Sequence, residues 1–332
     1  MDFIFVPSET LSTNDSTPDN PPLKGPGKRI LNLWPAVVSL FALVLGLSVI
    51  YYFLAGRTTP SHVYQVTENI VSELRSYQKV ANSVSRPVTY IPENRKHRHV
   101  MQKAREILVR AEDLNVIKGV EAGGIPEFPV RRVTPKAVRE IVEKIFEETL
   151  KLRPFYGITG ELPSAPLPGG KVPSDVYGNL ARIGNMLESL GAPKQQTKDV
   201  YRIVLTVIRD LEIIAAKKKN NCRLMVEEVT PDKTPGDVYR LTYRMLIRLN
   251  ALEVALNVDL YENLTPPQRK EGEIVPADVL DLMNNVLADV GAIKAAMAIA
   301  YPTVVAPEQL AKIPGDVYSA VSSADALIKC LS

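Results

Sequence analysis

The chain has 332 residues, of which 45% are hydrophobic and 23% charged, and its formal net charge at pH 7 is +3. This length allows about two ordinary domains, and so small a net charge argues against a nucleic-acid partner. The 26 prolines fall largely between segments of helical periodicity, where they can serve as helix starts and linkers.

The N-terminal part of the chain reads as a tail followed by a membrane span. Residues 1–29 are rich in Pro, Ser, Thr, Asn and Asp, and we predict a disordered cytoplasmic tail there. Residues 30–55 carry no charge and exceed the roughly 20 apolar residues that a transmembrane helix needs. Trp34 stands near one end and Tyr51 near the other, as interfacial aromatic residues do. The lipid bilayer is therefore a predicted partner of residues 30–55.

Flanking charge predicts the orientation of this span. Lys24, Lys28 and Arg29 precede it, whereas only Arg57 follows closely. The positive-inside rule then places the N-terminus in the cytoplasm and the remaining chain in the periplasm of a bacterial inner membrane. We interpret the span as an uncleaved signal-anchor rather than a cleaved signal peptide, because its apolar region is long and follows a long polar tail.

A five-residue motif, Pro-x-Asp-Val-Tyr, recurs through the rest of the chain, and each copy opens a segment with apolar residues three and four apart. This spacing predicts amphipathic helices. The clearest copies start at Pro173, Pro235 and Pro314. Looser copies start at Pro60, Pro135, Thr197 and Pro276, and a degenerate one starts at His97.

The motif suits a helix start. Proline fits the first helical position, and an Asp in the first turn meets the positive end of the helix dipole and can accept free backbone N–H groups. We interpret the motif as a structural device; the alternative is that its Asp–Tyr pairs form a ligand-binding row. The motif residues are Pro60, Pro135, Pro173, Asp175, Tyr177, Asp199, Tyr201, Pro235, Asp237, Tyr239, Pro276, Asp278, Pro314, Asp316 and Tyr318.

The spacing of the eight copies divides them into two groups of four. Successive copies start 37 to 41 residues apart, except for 24 residues between the fourth and the fifth. We predict an all-α fold in which the transmembrane helix precedes two duplicated four-helix bundles with long Pro-rich connectors, at residues 56–192 and 193–332.

The connectors are longer than the roughly 2 to 8 residues that an antiparallel bundle needs. A helix of about 20 residues is about 30 Å long, and about ten extended residues cover that distance. Our hypothesis is that many connectors run back along the bundle, so that helices lie parallel more often than in an up-down bundle.

Cys222 and Cys330 both fall near predicted helix C-termini, those of the fifth and eighth helices. Such a pair could form a disulfide in an exported domain or remain as two reduced core thiols. If the two cysteines are bonded, those two helix ends lie together, which an up-down order would not give.

Residues with catalytic or ligand-binding chemistry are few. A basic run, Arg95, Lys96, His97, Arg98 and His99, suggests an anion or lipid-headgroup contact; the alternative is a solvated helix start. His97 and His99 point to different sides of a helix and cannot share a metal from it. Since no catalytic, phosphate-loop, zinc or haem-attachment motif occurs, we assign no catalytic residue, metal or cofactor.

These observations favour a non-catalytic protein. We expect a membrane-anchored scaffold or accessory subunit of a larger cell-envelope complex, working through contacts with other envelope or membrane proteins outside the cytoplasm. The alternative is a periplasmic sensor that binds a small molecule and signals through a partner protein. The sequence leaves open whether the chain also forms a homo-oligomer.

Overall fold

The computed structural model describes residues 57–222, 228–258 and 268–332. The predicted tail and transmembrane helix, residues 1–29 and 30–55, lie outside these ranges. Within the described ranges, no helix combines the length and the apolar character that crossing a bilayer requires.

The prediction of an all-α fold with eight helices is confirmed over the described residues, which contain no β-strand. Six helices begin at a proline, whose missing N–H leaves no intrahelical hydrogen bond unmade in the first turn. The helices are α1 (Pro60–Ala81), α2 (His97–Ile117), α3 (Pro135–Leu150), α4 (Pro173–Ser189), α5 (Thr197–Lys218), α6 (Pro235–Ala255), α7 (Pro276–Ala296) and α8 (Pro314–Leu331).

The apolar faces of the helices form two hydrophobic cores. One core contains buried residues of α1–α4, which we call the first set, and the other contains those of α5–α8, the second set. In the first set, α1 and α2 each pack against α3 and α4; in the second set, α5 and α6 each pack against α7 and α8. The arrangement of contacts is therefore the same in both sets.

The helices within each set run parallel. At the start of the second set, one narrow gap is lined by the first-turn residues of all four helices: Thr197, Val200, Pro235, Val238, Pro276, Val279, Pro314 and Val317. In the first set, the backbone N–H of Arg95, just before α2, donates to Ser174 of α4 at 3.0 Å. At the opposite end, the Tyr77 hydroxyl of α1 donates to the Thr149 carbonyl of α3 at 2.8 Å.

A parallel order requires each connector to return along the bundle, and hydrogen bonds show two of them doing so. The connector before α4 passes α1, where Ala165 donates its N–H to Asn69 at 2.7 Å and accepts from Gln65. The connector before α8 passes α5 in the same way: Ala306 donates to Thr206 at 3.0 Å and accepts from Arg202. These extended segments account for the length of the connectors.

The described residues between 57 and 332 form one compact unit. The two sets meet where α2 packs against α7, and we call this contact the junction. Both helices are buried on more than one face, because each packs against its own set and against the other.

Candidate functional site

The Asp residues of the repeated motif act as helix caps. The carboxylates of Asp175, Asp199, Asp237, Asp278 and Asp316 each accept the backbone N–H of the residue three positions earlier, at 2.7–2.9 Å. Because of the bonds that Asp237 accepts from the side chain and backbone of Thr234, the pKa of Asp237 falls to about 2. These carboxylates therefore cap the N-termini of their helices.

Two histidines occupy the Asp position in the first and second repeats. His62 accepts the Thr59 N–H through Nδ1 at 3.1 Å, and His99 accepts the Lys96 N–H through Nδ1 at 3.2 Å. A ring nitrogen that accepts a hydrogen bond carries no proton. The cap of α2 thus requires His99 to hold its proton on Nε2.

Four tyrosines at the motif position contact basic residues that lie two positions before a neighbouring helix start. Lys171 lies 4.3 Å from the ring centre of Tyr64, and Lys312 lies 4.5 Å from that of Tyr201. Each pair joins equivalent helices, α4 to α1 in the first set and α8 to α5 in the second. Such cation–π contacts tie helix starts together. Lys233 over Tyr318 and Arg95 over Tyr177 repeat the arrangement.

In the basic run before and within α2, Arg95, Arg98 and His99 are buried, whereas Lys96 and His97 are half-buried. Arg95, Arg98 and His99 are 6%, 6% and 7% exposed, so these three side chains are not a solvated helix start, and an anion or lipid-headgroup contact stays a prediction for the run. Arg98 donates to Glu253 of α6 at 2.8 Å and to Asp289 of α7 at 2.5 Å. Both carboxylates that Arg98 contacts belong to the second set of the same chain.

The first set shows why Arg98 is needed at the junction. There, Asn115 at the end of α2 donates to Glu148 of α3 at 2.8 Å. In the second set the equivalent positions, 138 and 141 residues later, hold Glu253 and Asp289, which are both acidic. Two buried carboxylates repel each other unless a cation joins them. Arg98, which comes from the other set, supplies that cation.

His99 and Lys103 extend the junction along α2. His99 Nε2 lies 2.8 Å from Asp289 Oδ1, where it donates its proton. Lys103 pairs with Asp281 at 3.0 Å, and the Tyr177 hydroxyl donates to the same carboxylate at 2.6 Å. Arg98 and Lys103 therefore form charged pairs across the junction, with their cations on α2 and the anions on α6 and α7, and the neutral His99 donates a hydrogen bond between them.

Burial and charge act in opposite directions on the pKa values of these groups. Burial alone would raise the pKa of Asp289, but Arg98 and His99 outweigh it and hold the pKa below its usual range. Burial lowers the pKa of His99 to about 4, against the opposing effect of Asp289. His99 is thus neutral at pH 7, as its cap hydrogen bond requires.

A cleft of about 370 Å³ opens beside the junction, between α2, the connector before α3, and α7. Lys96, His97, Arg131 and Arg132 contribute basic groups to its lining, together with the paired Arg98. No acidic residue lines this cleft in the part of the chain that the structure describes. We call it the basic cleft.

The remaining walls of the basic cleft are mostly apolar. Phe128, Met101 and Val258 contribute side chains, and α7 contributes small residues that include Gly291 and Ala295. A Cβ atom built at Gly291 would meet no atom within 4 Å, so this position borders open space. The cleft combines a basic edge with an apolar wall, which is the chemistry of a site for an amphiphilic anion.

A second groove, of about 610 Å³, lies between the connector before α2 and α4. Its lining is of mixed charge, since Arg86 and Arg182 are accompanied by Glu93 and Asp175. Asp175 already caps α4. This groove therefore presents no net charge to a ligand, and the basic cleft is the stronger candidate site.

Cys222 and Cys330 form a disulfide bond, with their Cα atoms 5.9 Å apart. Cys222 follows the end of α5, and Cys330 lies in the last turn of α8. The bond therefore joins the C-terminal ends of two neighbouring helices of the second set, as parallel helices allow.

Sequence reasoning missed the acidic half of the junction, namely Glu253, Asp281 and Asp289. One available signal was the composition of α7, which carries Leu280, Met283 and Leu287 in addition to its regularly spaced apolar residues Val279, Leu282 and Val286. A helix that is apolar around most of its circumference is usually buried on several faces.

Among the described residues, no group of His, Cys, Asp or Glu side chains has the arrangement of a metal site. The chain matches no protein-family model, no curated protein and no solved structure.

Proposed function

We propose that the protein is a membrane-anchored helical scaffold or accessory subunit of a cell-envelope complex. In this proposal, residues 30–55 form the anchor and the N-terminus is cytoplasmic. The two helix sets arose by duplication and work in the periplasm through contacts with other envelope or membrane proteins. The protein performs no catalysis of its own.

Equivalent side chains support the duplication. Glu73 of α1 pairs with Arg153 at 3.4 Å, and 137 and 141 residues later Asp210 of α5 pairs with Lys294 at 2.6 Å. The Ala165 and Ala306 connectors are bonded at equivalent points in the same way. The two sets make the same contacts with different side chains. Duplication of one ancestral four-helix unit explains this more simply than separate origins of the two sets.

The exposed connectors are the observation that carries the scaffold proposal. Apolar side chains along them face solvent, and Val304 and Leu310 are 58% and 71% exposed. A contiguous exposed apolar patch is typical of a protein contact site, and in this proposal the connector side chains form one. The disulfide supports a location outside the cytoplasm, because reducing compartments rarely keep such bonds. Other exposed apolar connector residues are Val84, Leu162, Leu167 and Tyr301.

The test is a pull-down of the full-length, C-terminally tagged chain in mild detergent, followed by mass spectrometry. We expect a stoichiometric set of envelope proteins that is lost in the Val304→Ser/Leu310→Ser variant. Val116→Ser, an equally exposed change on α2 and outside the connectors, should retain it. A clean monomer or homodimer, or a partner set unaffected by the connector variant, would contradict the proposal.

The anchor needs a separate test. We expect the full chain to sediment with membranes and resist carbonate extraction, and a chain lacking residues 1–56 to remain in the soluble fraction. Protease added to spheroplasts should digest residues 57–332 and spare an epitope at the N-terminus. Protection of the helical sets instead would reverse the proposed orientation.

The second candidate is a periplasmic sensor that binds a small molecule and signals through a partner. The basic cleft favours it, because its volume lies within the roughly 300–1,000 Å³ range of small-molecule sites. A ligand that alters the partner set in the pull-down would separate this function from a purely structural one.

A further inference from the structure

We propose that the basic cleft binds a small soluble organic anion with an apolar body, of which an alkyl phosphate is the simplest form. A signalling role for this binding would rest on the proposed sensor function, whereas the binding itself does not. Binding is tested by itself, so that a chain that binds without signalling is distinguished from one that does not bind.

The charge of the cleft sets the sign of the ligand. Lys96, His97, Arg131 and Arg132 contribute to the lining, and the described residues add no carboxylate to it. The buried carboxylates nearest along the junction, Glu253 and Asp289, are already paired with Arg98. An arginine pair such as Arg131 and Arg132 suits a phosphate, whose oxygens can accept two parallel hydrogen bonds from each guanidinium.

The opposite wall determines the rest of the ligand. Small residues of α7, including Gly291, Ala292 and Ala295, leave room, and Phe128 and Met101 add apolar surface. Inorganic phosphate would leave this surface exposed to water, whereas an alkyl chain would bury it. The site should therefore prefer an anion carrying an alkyl chain over the bare anion.

The position of the cleft gives binding a structural consequence. Its lining comes from both sets, since α2 and the connector before α3 belong to the first and Val258 and α7 to the second. A ligand would contact both sides of the junction at once. Bound ligand should therefore raise the stability of the folded chain by mass action.

The experiment is isothermal titration of the full chain in detergent with hexyl phosphate, and in parallel with inorganic phosphate and hexanol. We expect saturable 1:1 binding of hexyl phosphate, with inorganic phosphate and hexanol each at least about tenfold weaker. If inorganic phosphate binds as tightly as hexyl phosphate, the apolar wall does not contribute to binding. If hexanol binds as tightly as hexyl phosphate, the basic edge does not contribute to binding. Either result overturns the proposal, as does no binding of hexyl phosphate.

Variants identify the cleft as the site. Arg131→Gln/Arg132→Gln should weaken binding at least about tenfold, and Lys79→Gln/Lys144→Gln, with the same loss of charge at exposed positions on α1 and α3, should leave it unchanged. Gly291→Leu should abolish binding, because its side chain would extend into the open space beside this position, and the urea midpoint shows that the variant remains folded. Binding that survives both cleft variants would place the ligand elsewhere.

A final arm distinguishes a soluble ligand from a lipid headgroup. Phosphatidylcholine vesicles containing phosphatidic acid are added to the chain lacking residues 1–56, with hexyl phosphate as competitor. We expect hexyl phosphate to bind this chain in the absence of vesicles. Binding only to the vesicles would overturn the assignment of a soluble ligand.

Discussion

Arg98 donates to Asp289 across the junction at 2.5 Å, and both side chains are more than 90% buried. The equivalent acceptor in the first set, Glu148, meets a neutral Asn115 instead. The second set therefore contains a buried acidic pair that a residue of the first set neutralises.

Replacing Arg98 with Met should destabilise the protein strongly. The change leaves Glu253 and Asp289 buried together without their cation, and removal of one partner of a buried pair typically costs about 3–5 kcal/mol. Urea unfolding at pH 7 measures the loss. The matched control is Arg139→Met, which breaks a half-exposed pair with Glu143 and should cost less than about 1 kcal/mol.

A second variant tests whether charge is the cause. Adding Glu253→Gln and Asp289→Asn to Arg98→Met removes both buried charges and should recover most of the lost stability. If the triple variant is no more stable than Arg98→Met alone, packing rather than charge dominates at this position.

Acidification should weaken the fold through His99. Burial holds the pKa of His99 at about 4, against about 6.5 in an unfolded chain, so between these values the unfolded state binds more protons. Stability is therefore full above pH 6.5 and falls as the pH is lowered to 4, by about 3 kcal/mol. Asp289 on α7, Arg98 on α2 and Arg95 just before α2 act on the ring and are included in this shift.

The pH effect is measured as the urea midpoint between pH 7 and pH 4.5. His99→Asn keeps an acceptor for the Lys96 N–H but cannot titrate, and it should flatten the pH dependence in this range. His62→Asn, a change at the equivalent exposed cap of α1, should preserve it. An unchanged slope in His99→Asn would assign the effect to another group.

Two glycine substitutions should have opposite effects. A Cβ at Gly315 would lie 2.3 Å from the Thr230 carbonyl oxygen, so Gly315→Ala must displace backbone, at a cost of about 1–3 kcal/mol. Gly291 lies inside α7 with free space around it, and Gly291→Ala should stabilise the fold by up to about 1 kcal/mol. Thermal unfolding of both variants compares them directly. A Gly315→Ala variant as stable as the native chain would contradict the close approach at α8.

Reduction of the disulfide should lower the free energy of unfolding by about 4 kcal/mol, because the bond closes a loop across a sequence separation of 108 residues. Urea unfolding with and without reductant measures the change. The Cys222→Ser/Cys330→Ser variant should match the reduced chain and no longer respond to reductant. A response that persists in this variant would have another origin.

The helix starts and the apolar stripes could be predicted from sequence because both are local. Pro235 and Asp237 act within one turn, and the cap that they form needs no distant partner. The junction is different, since Arg98 is 155 residues from Glu253 and 191 from Asp289. No periodicity relates such positions, so a basic run that pairs internally looks the same in sequence as one that meets solvent.

The parallel order of the helices could be predicted from sequence because the length of a connector limits which helix ends it can join. The basic cleft could not be, because it depends on the angle and depth at which α2 meets α7. Lys96 and His97 belonged to the predicted anion contact and do line the cleft, whereas Gly291 carried no signal of its own. A glycine within a helical pattern indicates only a missing side chain until its neighbours are known.

The parallel order has a consequence for how quickly the chain can fold. Within the described residues α1 does not contact α2, so its first helical partner is α3, which begins more than 50 residues after α1 ends. Helical proteins usually fold fast because their contacts are close in sequence. Here each core requires long loops to close before its helices meet, so we expect refolding slower than for an up-down bundle of equal size.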